Sequence, residues 1–131
     1  MTTIKKTLQI ADYNKKKTTI SLSLVRDATI KTLNKSFRGK NSATDVLSFI
    51  PLDICKTHNG FLGDIIISVD TAKKNAKEQG VTLKEELLRL SVHGVLHLLG
   101  YDHEFNAKKK DADKMFALQE KIMNKLRVEF L

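Results

Sequence analysis

Three of the four histidines lie within eleven consecutive positions, in the segment HGVLHLLGYDH at residues 93–103. His93 and His97 are four positions apart, so on a helix they project from one face, close enough to bind a single small ion. His103 follows six positions later and would lie roughly 120° from that face if the helix continued. Gly100 stands between them and favours the left-handed conformation that ends a helix. The spacing therefore predicts a helix, a break and a return that brings His103 to the other two.

Three neutral imidazoles with one position left open form the ligand set of a catalytic zinc site, whereas structural zinc sites usually have four protein ligands. The alternative is a set of core histidines with local hydrogen bonds, or a helix face that meets solvent. The spacing also matches the metzincin protease signature H-E-x-x-H-x-x-G-x-x-H, except that Gly94 replaces the glutamate that acts as general base. The pattern therefore favours a zinc site but disfavours peptide hydrolysis.

The elements that must position these histidines are helical. Residues 83–99 are apolar around most of a helix circumference, which predicts a largely buried helix, and Thr82 and Glu85 have the spacing of a capping box at its start. A second amphipathic helix is predicted at roughly 106–127. One stripe of that helix is formed by Ala112, Met115, Phe116, Gln119, Ile122 and Leu126.

The first half of the chain alternates strands and helices. Residues 19–27 alternate apolar and polar side chains and predict a half-buried strand. Residues 27–37 predict a helix with an apolar stripe of Ile30, Leu33 and Phe37, and Asp27 is a candidate N-cap.

A turn at 38–44, strands at 45–50 and 61–69, and a surface helix at 70–80 follow. Strands interleaved with helices predict one α/β or α+β domain over residues 1–131, with a poorly specified segment at 1–18. We expect a small mixed β-sheet packed by helices, with the buried helix that carries the metal ligands at its centre. The order of the strands does not follow from the pattern.

Charge and cysteine content indicate the compartment and the class of partner. The net charge is +8, and residues 1–58 hold 11 Lys and Arg against 4 Asp and Glu, so the basic excess lies in the first half. Such an excess suits either a polyanionic partner or a solvated basic surface. The single cysteine, Cys55, excludes an intrachain disulfide, and we find no signal peptide and no apolar run that could span a bilayer. A cytoplasmic protein without a membrane partner is the expectation.

Three sequence blocks together resemble one known family. HGVLHLLGYDH (93–103) resembles the H-G-x-L-H-L-x-G-Y-D-H signature of the YbeY family, the bacterial zinc-dependent endoribonucleases of rRNA maturation. LNKSFRGKNSATDVLSF (33–49) and LGDIIIS (62–68) are similar to two further blocks of that family, in the same order. The resemblance runs from about residue 20 to the end of the chain.

The resemblance implies a site and a mechanism. One zinc ion per chain is bound by His93, His97 and His103 and activates a water, and Arg38 matches the family's functional arginine, whose guanidinium would pair with the phosphate oxygens of the transition state. Lys40 is a weaker candidate for a backbone-phosphate contact, and Asp102 either orients a zinc histidine or shapes the turn.

The implied function is that of a single-strand-specific endoribonuclease in 16S rRNA 3′-end processing and ribosome quality control. Its partners would be the rRNA of the small ribosomal subunit, with ribosomal proteins or assembly GTPases as further candidates. Two alternatives stay open at this point: a zinc protease-like hydrolase, and a ribosome-assembly factor whose zinc is structural and whose cleavage activity is slight. The sequence also leaves open whether water or the RNA 2′-hydroxyl is the nucleophile.

Overall fold

A computed structural model of the chain describes residues 19–50, 61–100 and 109–130. Within these ranges every predicted element is present, with ends shifted by a few residues. The elements are β1 (Thr19–Val25), α1 (Asp27–Arg38), β2 (Val46–Phe49), β3 (Phe61–Ser68), α2 (Val69–Gln79), α3 (Leu83–Leu98) and α4 (Lys109–Phe130). The predicted class, a small mixed α/β domain, is confirmed.

The three strands form one mixed sheet in the order β1-β3-β2. β1 runs parallel to β3, with Leu22 opposite Ile65, and β2 runs antiparallel to β3, with Leu47 opposite Ile66. β3 is therefore the central strand of the sheet, which fits the continuous apolar run of Ile65, Ile66 and Ile67 in its second half.

Helix α3 lies between two apolar clusters and is the buried central helix that the sequence predicts. One cluster joins α3 to the sheet and α2 through Ile65, Ile67, Ala72, Leu90, Val95 and Leu98. The other joins the opposite side of α3 to α4 through Val92, Leu96, Met115, Ile122, Met123 and Leu126. The helix begins at Thr82, whose hydroxyl accepts the Glu85 N–H at 3.1 Å, as the capping-box spacing predicts. Both sides of α3 are thus fixed by packing, and side chains on it have little freedom to reorient.

The predicted capping role of Asp27 is wrong. Arg26 occupies the N-cap position of α1 and makes no side-chain capping bond. The Asp27 carboxylate instead accepts hydrogen bonds from the hydroxyls of Ser68 (2.5 Å) and Thr71 (2.6 Å) at the start of α2. In return, Asp70 of α2 accepts the backbone N–H of Asp27 at 3.0 Å. Asp70 therefore satisfies a backbone N–H of α1, whereas α2 is capped by its own Ser68, which accepts the Thr71 N–H at 3.3 Å. The two hydroxyl donors hold the pKa of Asp27 below its ordinary value.

Two aromatic residues that the helical periodicity places on buried stripes are exposed. Phe37 in α1 is 68% exposed and Phe116 in α4 is 46% exposed. Met123 is fully buried in α4 where periodicity did not predict it. The apolar stripe of each helix is narrower or rotated relative to the prediction, because the neighbouring helix or strand decides which positions are covered.

None of the helices in the described part of the chain is both long and apolar enough to cross a membrane.

Candidate functional site

The first pair of predicted ligands converges. The Nε2 atoms of His93 and His97 are 3.1 Å apart, and the two rings meet edge to face with centroids 4.7 Å apart. Two imidazole nitrogens that bind one tetrahedral zinc at its usual bond length lie about 3.3 Å from each other. The spacing and chemistry of this donor pair therefore fit a shared metal ion, as the i, i+4 relationship predicts.

A buried glutamine orients the first histidine of the pair. The Nδ1 atom of His93 lies 2.9 Å from Oε1 of Gln119, which is 3% exposed and projects from α4. An amide oxygen only accepts hydrogen bonds, so this contact favours the His93 tautomer with its proton on Nδ1, which leaves the Nε2 lone pair directed toward His97. The helical periodicity places Gln119 on the stripe of α4 but predicts no role for it. A polar side chain inside an otherwise apolar stripe was the available signal.

The third predicted ligand, His103, lies outside the described residues, as do Asp102, Tyr101, His58 and Cys55. Within the three described ranges, no group of three or more His, Cys, Asp or Glu side chains forms a metal site. α3 ends where the sequence predicts, because Gly100 has φ of 100° and its N–H donates to the His97 carbonyl at 3.0 Å.

Arg38 and Lys40 line the same cavity as His93 and His97, although they precede the histidines by more than fifty positions in the sequence. The cavity has a volume of about 490 Å³, and Gly100 also contributes to its wall. The fold thus brings the two basic residues and the histidine pair of the sequence analysis to one cavity.

The position of Arg38 is fixed by β2. It is the last residue of α1, where the sequence predicted the first residue of the turn, and Gly39 follows in the left-handed conformation. One Nη2 hydrogen of Arg38 is donated to the Ser48 carbonyl of β2 at 3.0 Å. The guanidinium carbon lies 5.8 Å from the centroid of the Phe49 ring, a cation–π contact. These contacts hold the guanidinium at the edge of β2 that faces the cavity.

Buried Asn34 supports the loop that follows α1. It is 3% exposed, and its Nδ2 donates to the Ser42 carbonyl at 2.9 Å. This hydrogen bond joins the loop that carries Lys40 to α1, and both Asn34 and Lys40 contribute to the cavity wall.

The acidic side chain of the cavity wall is engaged elsewhere. Asp45 accepts a hydrogen bond from the Asn75 amide at 3.3 Å, and that amide also lies 3.4 Å from fully buried Glu86. Glu86 forms two hydrogen bonds with Arg89, at 2.8 and 2.6 Å, and this contact raises the pKa of Arg89. Among its described residues the cavity wall carries Arg38 and Lys40 against the single carboxylate of Asp45, and this positive balance suits a phosphodiester substrate.

Gly94 faces the sheet and lies against β3. A Cβ atom at this position would come within 2.8 Å of Cγ2 of Ile65, which is fully buried. A glutamate at position 94 would therefore have to displace Ile65, so the fold has no room for the carboxylate that metzincin proteases carry there. The glycine that follows His93 is explained by this close approach between helix and strand.

The family model described as Endoribonuclease YbeY matches residues 1–127. The chain belongs to the YbeY family. The resemblance of the three sequence blocks is thus confirmed, and with it the class of enzyme, an endoribonuclease that hydrolyses RNA. The protease alternative is not supported.

Relatives within the YbeY family match most of the chain. The "Endoribonuclease YbeY" of a Sulfurihydrogenibium species is 48% identical over 120 residues, which cover 92% of this chain and 78% of the relative. The "Endoribonuclease YbeY" of Persephonella marina is 49% identical over 113 residues, which cover 85% of this chain and 72% of the relative. A solution structure of a Thermotoga maritima protein superposes with a TM-score of 0.68 at 32% identity and covers 98% of this chain and 81% of the other.

Proposed function

We propose that this YbeY family member is a single-strand-specific, zinc-dependent endoribonuclease of the cytoplasm, with residues 1–131 acting as one catalytic domain. Its substrate in this proposal is the rRNA of the small ribosomal subunit, which it processes at the 16S 3′ end and during ribosome quality control. Ribosomal proteins or assembly GTPases would be its partners. The choice of RNA and of partners depends on the family resemblance, whereas the chemistry is supported by the cavity.

The observation that carries the proposal is that the histidine pair and Arg38 line one cavity. His93, His97 and His103 would hold one zinc ion per chain, and Asp102 would orient one of these imidazoles. When bound, zinc supplies a Lewis acid that makes water acidic enough to act as a nucleophile near neutral pH, which replaces the carboxylate base that Gly94 lacks.

Arg38 is the proposed electrostatic catalyst. Negative charge grows on the non-bridging oxygens of the phosphodiester during attack, and a guanidinium can donate two parallel hydrogen bonds to those oxygens. The bond to the Ser48 carbonyl restricts the guanidinium to the cavity edge before the substrate arrives, so little side-chain entropy is lost at the transition state. Lys40 would hold a neighbouring phosphate as a point charge.

Substitution of Arg38 tests this assignment. Arg38→Ala should reduce cleavage of single-stranded RNA by roughly 10²–10³, the usual cost of one electrostatic donor, with zinc content and melting temperature unchanged. Arg38→Lys should recover only part of the rate, because it keeps the charge and loses the planar fork. RNA affinity should fall less than the rate, since other basic residues of the first half also bind phosphates.

Lys35→Ala is the matched control. It removes one positive charge from the last turn of the same helix, at an exposed side chain outside the cavity wall. Wild-type cleavage by Arg38→Ala would refute the catalytic role. If RNA affinity and cleavage rate fall by the same factor, Arg38 is a docking residue and the assembly-factor alternative is favoured. Co-sedimentation of the protein with small ribosomal subunits would then test that alternative.

A further inference from the structure

Phe37 is an exposed aromatic ring held beside the proposed catalytic arginine. It lies in the last turn of α1, directly before Arg38, and is 68% exposed. Its ring centroid is 5.4 Å from that of Phe49, and the two planes are inclined by 60°. The Arg38 guanidinium lies over the same Phe49 ring. Phe49 therefore supports both side chains and holds an aromatic surface and a cation next to each other.

The segment of the chain that carries this ring is basic. Lys31, Lys35, Arg38 and Lys40 are all exposed, and residues 28–44 include no Asp or Glu. Ile50, at the end of β2, is 63% exposed and lines the cavity beside Arg38. An exposed ring directly before an arginine, on a segment whose charged side chains are all cationic, is complementary to a nucleotide, which presents a flat base and a charged phosphate, and is a poor match for an uncharged apolar partner.

We propose that Phe37, supported by Phe49, is the stacking platform for one unpaired base of the RNA substrate, whose phosphate lies at Arg38. This inference rests on the proposed function and adds a base-binding subsite to it. Aromatic side chains bind single strands by stacking on unpaired bases, without strong sequence preference. Because a duplex keeps its bases stacked on each other, only a single strand can use the platform. Phe37 would therefore contribute to the preference for single strands through binding, separately from the cleavage chemistry.

Binding of a fluorescent, unstructured 2′-O-methyl RNA decamer measures this contribution, and a gel after each titration checks that the oligonucleotide is intact. Phe37→Ala should weaken affinity by about tenfold to a hundredfold, the range found when stacking on one base is lost. Phe37→Leu, which keeps an apolar side chain but has no ring, should weaken it almost as much, and Phe37→Tyr should restore it. Affinity for a duplex of equal length should not change.

Two further measurements identify the interaction. Phe37→Trp places a single tryptophan in a chain that has none, and its fluorescence should be quenched by the single strand and unaffected by the duplex. An abasic substitution scanned along the decamer should weaken binding of the wild type at one position, and that dependence should be absent in Phe37→Ala. Val128→Ala is the control for loss of an exposed apolar residue, since Val128 is 88% exposed in α4.

The platform is refuted if Phe37→Ala binds the decamer as tightly as the wild type, or if Phe37→Leu and Phe37→Tyr behave alike. It is also refuted if Phe37→Ala weakens single strand and duplex equally, because the residue would then support the fold or a backbone contact. These outcomes are independent of the Arg38 experiment, which compares the loss of cleavage rate with the loss of RNA affinity at a different side chain. Failure of the platform would leave the proposed nuclease intact, and a catalytically inactive protein could still show the stacking.

Discussion

Gln119 of α4 accepts the Nδ1 hydrogen of His93 of α3 at 2.9 Å, and this bond joins the two helices at the side of the candidate metal site. Gln119 is almost fully buried and is surrounded by the apolar cluster between α3 and α4. Burying an amide without a hydrogen-bond partner raises the free energy of the folded state, so the hydrogen bond between Gln119 and His93 constrains both side chains. The packing of α4 therefore decides which nitrogen of His93 is available to a metal.

Substitution of Gln119 should change metal affinity. Gln119→Leu removes the acceptor, leaves His93 free to rotate or change tautomer, and should weaken zinc binding by about 10–100-fold. Gln119→Glu keeps an acceptor in place and should preserve the affinity. Competition with a chromophoric chelator measures both constants, and the imidazole nitrogen resonances of the metal-free protein report the His93 tautomer. Equal affinities for the leucine and wild-type proteins would contradict the orienting role.

Removal of the metal should lower stability as well as activity. A ligand that binds only the native state, at a free concentration of ~1,000 times its dissociation constant, stabilises it by about 4 kcal/mol. We expect chelation to lower the melting temperature of the wild type and to leave that of His97→Ala unchanged. Metal analysis should find one zinc ion per wild-type chain and none in the variant. A wild-type melting temperature unaffected by chelation would show that zinc is not coupled to the fold.

The close approach of Gly94 to Ile65 predicts a destabilising Gly94→Ala substitution. Insertion of a methyl group into a packed core costs about 1–3 kcal/mol, and the gain of about 1 kcal/mol in helix propensity offsets only part of it. Ile65→Ala in the same chain removes all three side-chain atoms that a Cβ at position 94 would meet, so the two changes together should cost less than the sum of the single changes. Urea unfolding of the four proteins measures this coupling. Additive effects would mean that the two residues do not press on each other.

The hydrogen bonds that the Ser68 and Thr71 hydroxyls donate to Asp27 predict a pH-dependent contribution of this carboxylate to stability. Because the native pKa lies below the unfolded value of about 3.9, the carboxylate stabilises the fold above that pH, and the contribution is lost as pH falls toward the native pKa. Asp27→Asn should therefore be less stable than the wild type at neutral pH, with the difference shrinking below pH of about 4.

Thr71→Val provides the control for this titration, because it removes one of the two hydroxyl donors to Asp27. The pH-dependent part of its free energy of unfolding should be intermediate between those of the wild type and Asp27→Asn. Free energies of unfolding from urea titrations between pH of about 3 and 7 measure all three curves. Parallel curves for the wild type and Asp27→Asn would refute the contribution.

The histidine helix was predictable because its determinants are local. Thr82 and Gly100 mark its ends, and the spacing of His93 and His97 fixes their common face through the geometry of one helical turn. The strands were predictable for a similar reason. Alternation of apolar and polar residues reflects burial of one face of the strand, and a continuous apolar run reflects burial of both faces. These features depend on residues within a few positions of each other, so they can be read from the sequence alone.

The composition of the cavity was decided by the tertiary structure. Arg38 reaches it because β2 pairs with β3 and offers the Ser48 carbonyl, and strand pairing between distant segments has no local signature. For the same reason the family resemblance, and not the spacing, was what linked Arg38 to the histidines before the fold was known.

The sequence alone thus determined the helix, the histidine pair and the class of enzyme, whereas only packing decided how each side chain is used. Periodicity shows that a position lies on an apolar stripe, but it does not show what lies opposite. Gln119 therefore contacts His93, Gly94 contacts Ile65, and Phe37 lies exposed to solvent against the tilted ring of Phe49. Asp27 likewise serves the next helix and not its own. Each of these outcomes is set by the distance and angle between two elements, which depend on the whole core at once.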